Sequence, residues 1–338
     1  MITVICKASA GIGLGHLIRT SSLISQALAE NESLVINYVI IGDTQLKEIA
    51  TKSAYSVTVV ENEENVLFDT KVDFIFVDMT EVHEKVISYW KKMSKRIVVI
   101  SPIFNHFDKA DYYFGRTKYL NFERNDFPNL KVYAGLEFSI IQDNCFPISE
   151  EVYEHNLGSE SFQIAITMGG GDAKNKSLKV LRALKNCKVP ATFWVMIGER
   201  YQYSLDDLVR EIREDTAHEI ILAKTNASMW RILNNCVLCI LPGGITSYES
   251  VYAGLPSINF FDQENQRFLL KEIVEHEAAW DFGIYSDKTL ENIVTFIERL
   301  YEDRKLLMQM HVKSKSVIDK GAVSRIIKTL GNHEGWYN

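Results

Sequence analysis

Short apolar runs alternate along the whole chain with longer stretches in which apolar residues recur every third or fourth position. The first pattern reads as buried strands and the second as amphipathic helices. Their regular alternation favours parallel sheets covered by helices on both faces. In the N-terminal half the pattern predicts strands at Ile2–Cys6, Leu34–Ile41, Val57–Val60, Phe74–Asp78, Ile97–Ser101, Tyr112–Phe114 and Val132–Ala134. Helices fit at Leu17–Ala29, Thr44–Lys52 and Glu81–Lys92. The polar stretch Asn144–Ser161 holds a proline and a glycine and lacks a strand pattern, so it is the expected linker. A second block predicts strands at Gln163–Met168, Thr192–Ile197, Ile220–Ala223, Val237–Leu241 and Ser257–Phe260. Its helices fit at Lys174–Lys185, Leu205–Glu214, Ser228–Asn234, Thr246–Tyr252, Asn265–His276 and Thr289–Tyr301, followed by one or two charged helices between Arg304 and Leu330. The expected class is α/β, with two doubly wound Rossmann-like domains (1–145 and 160–310) facing each other across a cleft, and terminal helices over 311–338.

The length of 338 residues agrees with two domains, and the make-up of 46% apolar and 24% charged residues is that of a globular protein. A formal net charge of −7 and an isoelectric point near 5.7 argue against a nucleic-acid partner, because no basic field would attract a phosphate backbone. A local anion site is still allowed. No apolar run reaches the ~20 residues that span a bilayer. The first strand starts at Ile2 and leaves no room for a leader, so a cytoplasmic protein without stable membrane insertion is expected. The sequence specifies no oligomeric state. Cys6, Cys145, Cys187, Cys236 and Cys239 are odd in number and scattered, which speaks against a disulfide framework. The Cys236-x-x-Cys239 pair has no second pair, so a buried core role is favoured over metal or redox use.

Candidate chemistry gathers at glycine-rich turns between a strand and a helix. Gly11-Ile-Gly13-Leu-Gly15-His16-Leu-Ile-Arg19 follows the first strand. A dinucleotide fingerprint would need a third glycine where His16 stands, and Asp43 comes later than that fingerprint's acid. His16 at the helix mouth suits a general base near neutral pH. Arg19, one turn on, either faces the same cleft or pairs at the surface. Asp78 ends the strand Phe74–Asp78 and should reach the cleft too. In the second half, Gly169-Gly170-Gly171-Asp172-Ala-Lys174-Asn175 reads as a ligand-facing loop, with Asp172 or Asn175 also able to cap the next helix.

Pro242-Gly243-Gly244-Ile-Thr246-Ser247-Tyr248-Glu249 is the most specific of these motifs. Backbone N–H groups and the Thr246 and Ser247 hydroxyls suit a diphosphate at the positive end of a helix. Glu249 suits a pair of ribose hydroxyls, since a carboxylate accepts two hydrogen bonds side by side. The competing reading is a capped helix start with a first-turn acid. Asp262-Gln263-Glu264-Asn265-Gln266, straight after a core strand, offers hydrogen-bonding groups for sugar hydroxyls or forms a solvated loop in which Asn265 caps a helix. The other histidines have no neighbours at metal-ligand spacing in sequence, and no metal site is expected.

In this order the motifs resemble the GT-B-fold UDP-sugar hydrolases of the pseudaminic acid pathway and their spore-coat polysaccharide relatives. The resemblance rests on Gly13-Leu-Gly15-His16-Leu-Ile-Arg19, Gly135-Leu-Glu-Phe138-Ser-Ile-Ile141-Gln142-Asp-Asn-Cys-Phe146, Gly169 to Asn175, Gly243 to Glu249, Glu264-Asn265-Gln266 and Asp319-Lys-Gly321-Ala322-Val-Ser-Arg325. The Gly243–Glu249 turn is shared with MurG-type glycosyltransferases. The resemblance implies hydrolysis of a UDP-linked deoxyamino sugar in surface-glycan biosynthesis, by water attacking the anomeric carbon. The UDP-sugar would be the substrate, with no cofactor and no required metal. It also implies that the terminal helices cross back to the first domain, and that His16 is the catalytic histidine. Two positions depart from the family pattern: Asp78-Met79-Thr80 stands where it has Asp-x-Tyr, and Gln142 where it has arginine. A glycosyltransferase using a glycan or lipid-linked acceptor, and a protein that binds a nucleotide-sugar and leaves it intact, are the alternatives.

Overall fold

The computed structural model describes residues 1–9, 13–43, 46, 55–198, 200–225 and 229–334. Gly11 and most of the helix expected at Thr44–Lys52 lie outside the described residues. The chain divides into two compact units, Met1–Asp143 with Asp319–Asn338, and Asn144–Ile318.

In the first unit, strands β1 (Ile2–Lys7), β2 (Ile36–Ile41), β3 (Ser56–Val60), β4 (Val72–Asp78), β5 (Ser94–Val99), β6 (Tyr112–Gly115) and β7 (Lys131–Ala134) form a sheet in the order β3-β2-β1-β4-β5-β6-β7. All the pairings are parallel. Side chains alternate between the two faces of a strand. Accordingly Ile2, Val4 and Cys6 pack with Leu17, Ile24 and Ile326 on one face, and Ile5 packs with Ile75, Val77 and Trp90 on the other. Helices α1 (Gly15–Glu30) and α2 (Glu84–Met93) supply part of those covers. Two buried faces explain why these strands read as continuous apolar runs.

The second unit repeats the plan. Its strands are β8 (Phe162–Thr167), β9 (Ala191–Gly198), β10 (Glu219–Thr225), β11 (Leu238–Leu241), β12 (Ser257–Phe261) and β13 (Trp280–Ile284), in the order β10-β9-β8-β11-β12-β13. These pairings too are parallel. Its helices are α3 (Glu150–Leu157), α4 (Lys176–Leu184), α5 (Leu205–Glu214), α6 (Trp230–Leu233), α7 (Ile245–Ala253), α8 (Glu264–Glu275), α9 (Asp287–Glu302) and α10 (Lys305–Ser314). The last helix, α11 (Ala322–Glu334), belongs to the first unit, where Ala322, Val323, Ile326 and Ile327 enter the core beside α1. In each sheet the order reverses once, between β1 and β4 and between β8 and β11. Ligands of such sheets bind outside the carboxyl ends of the strands at that reversal.

Three features differ from the sequence expectation. The stretch taken as a linker begins the second unit and contains α3, whose start is capped by Ser149 Oγ accepting from Val152 N at 3.2 Å. Strand β13 was not anticipated, because it is only half-buried and holds Gly283 with φ 76°. The units part at 318/319 rather than 310/311, because α10 buries Leu307, Met310 and His311 within the second unit.

Candidate functional site

At the order reversal of the first sheet, Gly13 turns the chain with φ 86° and its N–H donates to Ser9 O at 2.8 Å. Gly15 and His16 then open α1. Asp78, the last residue of β4, pairs with Cys6 of β1 across the reversal and is fully buried. Its carboxylate gathers two partners: His16 Nδ1 lies 2.6 Å from Oδ1, and Arg19 Nε donates to Oδ2 at 2.7 Å. Arg19 Nη2 also donates to Oδ1. Burial alone would raise the carboxyl pKa, but the Arg19 guanidinium and then His16 hold it well below the usual carboxylate range. An ionised carboxylate only accepts, so Nδ1 of His16 carries the proton directed at Asp78. Arg19 Nη2, 3.1 Å from Nδ1, is then a second donor converging on the same oxygen. In the neutral ring the lone pair then lies on His16 Nε2, and the side chain keeps 16% of its surface accessible. Of the two readings of Arg19, pairing at the surface does not hold: its side chain is 6% exposed and bonded to the buried Asp78. Thr80, which stands at the tyrosine position of the resembled family, is exposed.

Two helix starts flank the reversal in the second sheet, and they differ. Before α4, Asp172 adopts φ 43° and Asn175 φ 51°. The Asp172 carboxylate accepts from Lys176 N at 2.7 Å and Ser177 N at 2.8 Å. Burial raises its pKa despite those bonds. Asn175 Oδ1 accepts from Tyr201 OH at 2.6 Å, and Gly170 O from Arg200 N at 3.1 Å. Gly171 is buried and Gly170 half-buried. This loop satisfies its own helix, so the capping role of Asp172 dominates.

Before α7, Gly243 has φ 74° and Gly244, the N-cap, φ 108°, and among the described residues no side-chain cap bond is seen at this start. A Cβ at Gly243 would come within 2.7 Å of the Phe261 ring, whereas one at Gly244 would meet nothing within 4 Å. The first turn of α7 holds no acidic residue, and the positive end of the helix dipole lies at this start. Thr246 is half-buried at this start. Ser247 is fully buried, and its hydroxyl donates to Asn259 Oδ1 at 2.6 Å, which commits it to the interior. Glu249 is 1% exposed. Farther along the same edge, Asn265 and Gln266 are exposed on the first turn of α8, and Gln266 Oε1 accepts from Asp262 N at 3.0 Å.

Sequence reasoning passed over Lys176. Its ammonium, on a side chain 6% exposed, lies 2.8 Å from Asp262 Oδ2. The signal was present, since a cation in the first turn of a helix opposes the helix dipole. It also did not join His83 to Glu63 and Glu64, which lie at metal-ligand spacing in the first unit. That grouping comes from tertiary folding, and the Glu63 carboxylate already accepts from His83 N at 2.6 Å and Lys7 Nζ at 3.4 Å. None of the five cysteines is in a disulfide and all are buried, and burial pushes the Cys6 thiol up to about 12.

No family model matches the chain. It is 22% identical over 277 residues to an uncharacterised protein of Methanocaldococcus jannaschii, covering 79% of this chain and 56% of that protein, so it spans about half the length of that relative. It is 23% identical over 258 residues to the spore coat polysaccharide biosynthesis protein SpsG of Bacillus subtilis, covering 74% of this chain and 70% of the relative. Among solved structures, MurG of Acinetobacter baumannii superposes with a TM-score of 0.68 at 13% identity, over 98% of this chain and 99% of that one. HepE of Anabaena, solved with UDP-glucose, gives 0.61 at 13% identity over 98% and 100%. The UDP-GlcNAc 2-epimerase of Neisseria meningitidis, bound to UDP-GlcNAc, gives 0.59 at 12% identity over 98% and 100%. At such identities the likeness concerns the fold, which is GT-B-like with two parallel-sheet, Rossmann-like units. No helix among the described residues is long and apolar enough to cross a membrane.

Proposed function

We propose that the protein is a nucleotide-sugar hydrolase of surface-glycan biosynthesis, releasing UDP and a free deoxyamino sugar. The observation that carries this reading is the His16–Asp78–Arg19 group. A buried, ionised carboxylate holds the imidazole through Nδ1 and leaves Nε2 of the neutral ring as an acceptor, the arrangement a general base requires. Water gives its proton to His16 Nε2 as its oxygen bonds to the anomeric carbon. The bond from that carbon to the diphosphate oxygen breaks, and UDP leaves with the electron pair. The N–H groups at the start of α7, with Thr246, hold the diphosphate and stabilise the charge it gains. Glu249 takes the ribose hydroxyls, and Asn265 and Gln266 the sugar. Gly13, Gly15, Gly170 and Gly171 let a ligand approach the backbone, while Asp172 and Asn175 shape the loop that lies beside it. The neighbours solved with UDP-glucose and UDP-GlcNAc support a UDP-sugar as the substrate class, and the spore-coat relative supports the biosynthetic setting.

The test is phosphorus and proton NMR of the purified protein with a panel of UDP- and CDP-linked deoxyamino sugars and no acceptor. Release of nucleotide diphosphate and free sugar identifies the hydrolase and its substrate. Turnover that begins only when a glycan or lipid-linked acceptor is added assigns a transferase instead. Binding without turnover in either condition assigns a nucleotide-sugar binding protein.

A further inference from the structure

Lys176 is the first residue of α4, after β8, and Asp262 follows β12 and precedes α8. In the sheet, β11 lies between β8 and β12. The 2.8 Å ion pair between Lys176 Nζ and Asp262 Oδ2 therefore ties the start of α4 to the start of α8. Lys174 Nζ, on an exposed side chain, reaches the other oxygen of Asp262 at 3.1 Å. The Lys176 ammonium also sits 5.6 Å from the centroid of the Phe260 ring. Stability alone does not account for such a group. A buried ion pair gains little over apolar residues of equal volume, and a cation at a helix start opposes the dipole.

What the pair controls is the conformation of one turn. Asp262 N donates to Gln266 Oε1, so fixing the Asp262 carboxylate from one side fixes the turn that carries Asn265 and Gln266. Both of those residues are exposed and lie at the carboxyl edge of the sheet. We propose that Lys176 is a positioning residue that holds the Asp262–Gln266 turn in its sugar-binding shape, and so sets affinity for the sugar half of the substrate and not for its nucleotide. This rests on the nucleotide-sugar reading given above.

The experiment titrates the full chain with UDP and, separately, with UDP-GlcNAc, in wild type, Lys176→Met, Asp262→Asn and the double variant. Amide hydrogen exchange is followed in each, without ligand. Lys176→Met should weaken UDP-GlcNAc by about tenfold and UDP by less than about twofold. The double variant should be no weaker than the weaker single, because both changes break one link. Exchange at residues 262–266 should quicken, with protection elsewhere in the second unit retained. Equal losses for UDP and UDP-GlcNAc would place the ammonium on the nucleotide and overturn the proposal, as would unchanged binding of both. If wild type binds neither probe, the nucleotide-sugar reading fails on its own. Exchange then decides the positioning role, and unaltered protection at 262–266 in Lys176→Met overturns it.

Discussion

The turn that starts α1 and the turn that starts α7 follow one plan in sequence: buried strand, glycines, polar helix. They differ in what stands at the helix mouth. At α1 three ionisable side chains meet, with Asp78 fully buried and Arg19 almost so. At α7 no charged side chain among the described residues caps the helix, and the residue at the mouth is Gly244. The first arrangement suits moving a proton, because a fixed carboxylate orients an imidazole. The second suits holding an anion, because backbone donors and a helix dipole need no counter-charge to function. The α4 start shows how small the difference is. There a single carboxylate, Asp172, occupies the backbone donors that α7 leaves uncapped by any side chain.

Asp78→Ala should break the first region most severely, since it leaves Arg19 buried without its counter-ion. A loss of about 3–5 kcal/mol in denaturant unfolding is expected. The sign with pH follows from the direction of the shift. The folded carboxyl titrates below its unfolded value of about 3.9. Its stabilisation is therefore intact above that value and is lost only as pH falls through the lower folded one. The part of the difference between Asp78→Ala and wild type that comes from this carboxylate should accordingly shrink as pH falls below about 4.

His16→Ala should cut the rate constant of turnover by about 10²- to 10⁴-fold while UDP affinity, read by calorimetry, stays near wild type. An equal fall in both would mean that the α1 start binds the nucleotide, and the contrast between the two turns would collapse.

Gly244→Ala acts on the other region. Its Cβ meets nothing within 4 Å, so packing is spared, but φ 108° is strained for any side chain. UDP affinity should fall by about tenfold. Asp172→Ala is the mildest change, costing about 1 kcal/mol of stability in thermal or denaturant unfolding. It should leave UDP affinity near wild type, whereas a loss as large as that of Gly244→Ala would show that the Asp172 carboxylate itself binds the nucleotide.

The strand–helix alternation was readable because both faces of each sheet are covered, which makes strands such as Leu238–Leu241 uniformly apolar. Strand β13 and helix α3 escaped for the converse reason. Trp280–Ile284 is nowhere fully buried, and Glu150–Leu157 buries only Tyr153 and Leu157. The glycine turns and His16 were also visible, since their residue types are unusual at helix starts. What each side chain touches was not. Arg19 and Asp78 are 59 positions apart, Ser247 and Asn259 12 apart, and Lys176 and Asp262 86 apart. Asp172 and Asp78 look alike in sequence. The capping by Asp172 is a local contact open to sequence reading, whereas only a tertiary contact shows that Asp78 orients a histidine.

The most direct test of the account is to run the reaction in water enriched in oxygen-18 and to record phosphorus NMR of the UDP released. Attack by water on the anomeric carbon predicts UDP whose terminal phosphate carries no heavy oxygen, with release slowed at least about a hundredfold in His16→Ala. Heavy oxygen in that phosphate would place the attack on phosphorus and contradict the account, as would undiminished release from the His16→Ala protein.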